Sequence, residues 1–161
     1  MTFNAVQFLS EILNDFFKQK LGLNESLVLV NRIVNADGSM PQVNINKVVV
    51  TLHNIEEDVS FQRINQKVNF ANEVVRHLYS VYVLVISNFE DYKESLKNLD
   101  TVIDFFNNNP VLSVSTNTNF PVELTRISVE TFNINLDQIS NLWSSIGAKQ
   151  QPFILYKVRL M

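Results

Sequence analysis

The stretch Leu78-Tyr79-Ser80-Val81-Tyr82-Val83-Leu84-Val85-Ile86-Ser87 decides the architecture. Strand alternation puts Leu78, Tyr82, Leu84 and Ile86 on one face and Tyr79, Val81, Val83 and Val85 on the other. A run that is apolar on both faces is a central strand, covered from both sides over at least its second half. The pattern predicts this strand from Glu73 to Ser87.

Upstream, Phe8, Leu9, Ile12, Leu13, Phe16 and Phe17 recur at helical spacing, with Gly22 placed to end the helix in the left-handed region. Residues 27–34 read as a β-branched strand that stops at the turn Asn35-Ala36-Asp37-Gly38. Residues 45–55 read as a second strand, with Val48, Val50 and Leu52 on one face and the acidic exit Glu56-Glu57-Asp58 behind it. Residues 59–72 show no clear period.

Downstream, Asn88 is the expected N-cap of a helix carrying Tyr92, Leu96, Leu99, Ile103 and Phe106, and Pro110 stops it. Residues 111–114 form a short strand candidate and 123–132 another. Asn135 with Gln138 three residues on has the form of a capping box, opening a helix through Ile139, Leu142, Trp143 and Ile146 to Gly147. Residues 153–160 close the chain as a strand tied into the sheet. The order predicts an α+β fold: a single domain spanning 1–161, with a mixed, mostly antiparallel sheet flanked by about three helices.

Composition narrows the chemistry. The chain has 161 residues and no Cys, which excludes disulfide scaffolds, zinc ribbons and thiol nucleophiles. Its three glycines, Gly22, Gly38 and Gly147, are too dispersed for a phosphate-cradling loop. Thirteen basic against 16 acidic residues give a net charge of −3, the wrong sign for a nucleic-acid partner. No apolar stretch reaches bilayer length, and the N-terminus lacks the pattern of a secretory signal, so membrane insertion is not expected and assembly in the cytoplasm is. Charged residues make up 18%, below the roughly 25% of ordinary soluble domains, and Asn is abundant. Two readings fit: base composition with a polar uncharged surface, or a protomer partly covered by neighbours.

His53 and His77 sit inside strand patterns without ligand spacing and read as structural or half-exposed strand histidines. The cluster Glu56-Glu57-Asp58 lacks the alternating ligands and Gly of a calcium loop and reads as a solvated strand exit. No nucleophile elbow is present. Trp143, the single Trp, lies on a helix stripe and reads as core. No catalytic constellation is visible, so no enzyme activity, cofactor or small-molecule substrate is expected.

The last third carries a resemblance. Asn141 to Lys149, then Pro152, then Ile154 to Leu160 resemble the N-terminal domain of the cap, or tube-terminator, proteins of extracellular contractile injection systems of the antifeeding-prophage type. Residues 48–60, 78–84 and 88–112 are similar to that family in the same order. The resemblance implies a tail-terminator-like fold and a structural role. A ring, typically a hexamer, would close the inner tube and sheath opposite the baseplate of a phage-tail-like particle. The partners implied are the chain itself, the inner tube protein and the sheath protein, assembled in the cytoplasm on a particle that is released or surface-associated. The alternative is a sheath-end adaptor that does not terminate the tube. Trp143, Gly147, Pro152 and Tyr156 are then expected to set the last helix against the last strand. The segment matching least well is the candidate arm toward a neighbour: Glu57, Asp58, Phe61, Arg63, Asn65, Lys67 and Asn69.

Overall fold

A computed structural model of the chain describes residues 1–58 and 78–161. In chain order these form α1 (Thr2–Leu21), β1 (Val28–Val30), a 3₁₀ turn (Gln42–Asn44), β2 (Lys47–Glu57), β3 (Tyr79–Asn88), α2 (Tyr92–Asn108), β4 (Val111–Ser113), β5 (Arg126–Thr131), α3 (Leu136–Ile146) and β6 (Phe153–Leu160). The strands make one sheet in the order β1-β2-β3-β6-β5-β4. Only β1 and β2 run parallel, and the other pairs are antiparallel. Among the described residues the result is the α+β arrangement with a mixed sheet and three helices that the sequence predicts.

β3 is central, as its two apolar faces require. Val81, Val83 and Val85 join the larger core, built with Phe8, Leu9, Leu13 and Phe17 of α1 and Val102, Phe105 and Phe106 of α2. Leu84 and Ile86 point the other way, into a smaller core with Val49, Leu142, Trp143 and Leu155 under α3. Burying a Leu, Ile or Val side chain contributes about 1.5–3 kcal/mol. β3 therefore collects that gain on both faces.

The helix ends follow local chemistry. Gly22 and Gly147 close α1 and α3 with φ of 65° and 77°, the left-handed region that costs glycine nothing. At α3 the Asn135 side chain accepts from the Gln138 N–H (2.8 Å), and Gln138 Oε1 accepts from the Asn135 N–H (2.9 Å). At α2 the cap differs from expectation. Asp91, not Asn88, is the N-cap, accepting from the Lys93 N–H at 2.8 Å. Asn88 remains the last residue of β3 and donates its side-chain amide to the Asn44 carbonyl (2.8 Å).

β1 is also shorter than predicted. It keeps only Val28–Val30, and residues 31–46 become a loop organised by asparagines. Buried Asn44 accepts from Asn31 (2.8 Å) and donates to the Arg32 carbonyl (2.9 Å). Buried Asn14 on α1 accepts from the N–H groups of Leu27 (2.9 Å) and Val28 (3.1 Å), fixing where β1 begins. Part of the Asn content is thus structural, not surface filler. The candidate strand 123–132 is trimmed to Arg126–Thr131, because Leu124 bonds back to Pro121 in a turn.

Trp143 is 4% exposed and meets Phe153 edge-on at 5.3 Å between ring centroids. Its indole N–H is buried without an acceptor among the described residues. Trp143→Ala should cost about 3–5 kcal/mol in chemical denaturation, whereas Trp143→Phe should cost much less, since no hydrogen bond is lost. Asn135→Ala should cost about 0.5–2 kcal/mol through loss of the cap, read as a lower denaturation midpoint.

Candidate assembly surface

α3 covers only one end of its face of the sheet. Over Val49, Ile86 and Phe153 the face is apolar and closed, while toward Glu57, Tyr79 and Leu160 it is polar and no helix covers it among the described residues, although Ser80 there is buried. Register lines up the polar side chains. Ser80 lies beside Glu56 and Arg159, Tyr82 beside Asn54 and Lys157, and Lys157 beside Glu130. A bulge between Leu52 and Asn54 accommodates His53 and re-phases the end of β2, so that Asn54 and Glu56 share this face.

The side chains form a linked ladder. The Tyr82 hydroxyl donates to Glu56 Oε2 at 2.6 Å, and Lys157 Nζ lies 3.4 Å from the same oxygen. Lys157 also sits over the Tyr82 ring, 5.4 Å from its centroid, and Phe132 packs edge-on against that ring at 5.0 Å. Arg159 pairs with Glu130 at 2.8 Å and reaches Asp58 at 4.0 Å. The Tyr82 hydrogen bond, followed by Lys157, holds the Glu56 carboxyl below its usual range. The same bond, with some burial, pushes the Tyr82 phenol up. Such exposed pairs orient one another and define a surface more than they stabilise the fold.

Between this ladder and α3 runs a groove of about 560 Å³ lined by His53, Tyr82, Phe132, Gln138, Asn141 and Leu155. At the other end of α3 a more apolar cleft of about 370 Å³ lies between Ile33, Met40, Val49, Ile86 and Ala148. The groove's one carboxylate, Glu56, is already engaged by Tyr82 and Lys157. Among the described residues no group of three His, Cys, Asp or Glu is placed to hold a metal ion. No helix among them is long and apolar enough to cross a membrane.

Of the predicted arm, Glu57 ends β2 opposite Tyr79, and Asp58 donates its N–H to the Leu78 carbonyl at 2.8 Å. Phe61, Arg63, Asn65, Lys67 and Asn69 lie outside the described residues, as does His77. His53 is exposed on the bulge. The structure separates the other predicted group. Trp143 meets the last strand at Phe153, and Gly147 ends α3. The Pro152 carbonyl accepts from Ser87, joining the entry of β6 to β3. Tyr156 does not meet α3. Its parity puts it on the opposite face, 4.7 Å from Phe106 of α2, where burial pushes its phenol far up. The Tyr82–Glu56–Lys157 cluster joins positions remote in sequence, and no local motif announces it.

Removing Glu56 should release Tyr82. In Glu56→Ala the Tyr82 phenol should titrate at lower pH, nearer 10, as followed by its ring NMR signals. Glu56 is lowered on folding, so its contribution is present above the unfolded value near 4.5 and is lost as pH falls through the folded value. The melting temperatures of wild type and variant should therefore converge in acid.

With the fold and this surface in place, the relatives can be compared. No curated protein sequence matches the chain. Among solved structures it is similar to the sheath/tube terminator of PVC, an extracellular contractile injection system, solved by cryo-electron microscopy in the extended state. The two are 14% identical, with a TM-score of 0.52 over 92% of this chain and 54% of that one. At that identity the likeness shows the fold, and the chain spans about half the length of the solved chain it matches. The Pvc16 N-terminal domain family matches residues 5–161. The match runs through both cores, the polar end of the sheet and the Trp143 helix, and on it the chain belongs to the Pvc16 N-terminal domain family.

Proposed function

We propose that this chain is a structural component of a phage-tail-like contractile injection particle, closing the end of the inner tube and sheath opposite the baseplate as a ring, six-fold by the family resemblance. The observation that carries the reading is the family match over residues 5–161. It is supported by the likeness in fold to a solved protein named as a sheath/tube terminator. Its partners are further copies of itself, the last layer of the inner tube and the last layer of the sheath. Identical subunits reach such an arrangement through head-to-tail contacts that close.

The role asks for surfaces, not for a reaction centre. A ladder of mutually oriented charges beside an apolar core presents a fixed pattern to a neighbouring protein, and a partner that matches the pattern is favoured over one that does not. In this reading the protein is not a catalyst. It is made in the producing cell and leaves with the particle.

Particles from a strain lacking this chain should show overlong or ragged tubes and unstable sheath ends by electron microscopy. Normal length with intact ends would reject termination, and loss of the sheath alone at that end would favour an adaptor.

A further inference from the structure

The two edges of the sheet differ from an ordinary pair of exposed edges. On one side β1 covers β2 only along Val48–Val50, and the bond from the Asn31 N–H to the Val50 carbonyl is the last between them. From Leu52 to Glu56 no strand lies outside β2 among the described residues, and all five side chains are exposed. The Asp58 to Leu78 bond and the pairing of Glu56 with Ser80 and Asn54 with Tyr82 turn the backbone groups of these residues inward, to β3. By alternation the N–H and C=O of Ile55 face out, beside the exposed side chains of Leu52 and Ile55.

The far edge is β4. The Pro110 carbonyl accepts from the Val129 N–H, so Pro110 and Leu112 turn toward β5, and Val111 and Ser113 turn outward. The Ser113 carbonyl is taken by its own turn, from the N–H groups of Thr116 and Asn117 (3.1 Å each). Val111 is left with an outward N–H and C=O, and its side chain and that of Val114 are exposed. Water can satisfy the backbone groups of an open strand edge, but the edge is also a ready template for another strand.

Strand direction decides how two copies can meet. From β2 to β4 the sheet crosses four antiparallel pairings, so β4 and β2 point the same way. A copy related by rotation about a ring axis therefore brings its β4 alongside the neighbour's β2 in parallel, with the sheet faces in register. In that arrangement Val111 and Asn54 lie on the same face. A two-fold contact would instead set β2 antiparallel to itself.

We propose that the outer edge of β2 from Leu52 to Glu56 receives β4 of a second copy of this chain, head to tail, so that one sheet continues from subunit to subunit. The inference deepens the ring reading above and rests on it. It assigns the ring contact to the two sheet ends rather than to the helices.

The absence of Cys makes the test clean. Particles are assembled with the chain carrying Asn54→Cys and Val111→Cys together, or either alone, and treated with a short bismaleimide. The double variant should give a ladder of covalent multimers on denaturing gels, and each single variant should stay monomeric. Dimers from Asn54→Cys alone would mean β2 pairs with itself and would overturn the proposal. So would the absence of a ladder when immunogold labelling places the chain at the particle end, a result that leaves the terminator reading standing. If labelling finds no chain on the particle, the terminator reading falls. The same crosslinking of the concentrated purified chain then decides the contact, a ladder supporting it and monomers overturning it.

Discussion

β3 is held from both faces, and the rest of the structure is arranged around that grip. Val81, Val83 and Val85 lie under α1 and α2, while Leu84 and Ile86 lie under α3. A strand apolar on both sides cannot sit at an edge without exposing one face, so β2 and β6 must flank it and helices must cover it twice. Short β1 and β4 at the sheet's margins follow from this. Once the centre is buried, the outer strands need only finish the layers.

The same grip is uneven along the strand, and this creates the surface. α3 spans Leu136–Ile146 and covers the end of the face marked by Val49, Ile86 and Phe153. Beyond its reach, parity still directs Tyr82, Lys157, Arg159 and Glu56 to that face. Their mutual bonds keep long charged side chains in one arrangement. Such an array suits recognition better than stability, because exposed ion pairs add little to the folding free energy.

Much of the fold was legible because its causes are local. The capping box at Asn135 and Gln138, the stop at Gly147, the stripe from Phe8 to Phe17 and the two-faced run from Leu78 to Ser87 are patterns within a few turns or residues of chain. The misreadings fall where a distant partner wins. Asn88 looks like an N-cap, but the Asn44 carbonyl claims its side chain and Asp91 takes the cap. Residues 31–34 look like strand, but Asn44 draws Asn31 and Arg32 into a loop. Tyr156 sits between residues that face α3, and only its parity in β6 sends it beneath α2. The ladder of Glu56, Tyr82 and Lys157 spans strands far apart in the chain, so no local pattern marks it.

By itself the sequence determined the element types, most of the helix ends, the centrality of β3 and the family, because propensity, capping and alternation are short-range and because the ordered segments around Trp143 match a family pattern. Only the tertiary structure decided the strand order, which puts β1 and β4 at the margins and makes β2 and β4 point the same way. It also decided the meeting of Glu56, Tyr82 and Lys157, and the loop that buries Asn44. These depend on register between strands remote in sequence, and register is set by which faces must be buried together.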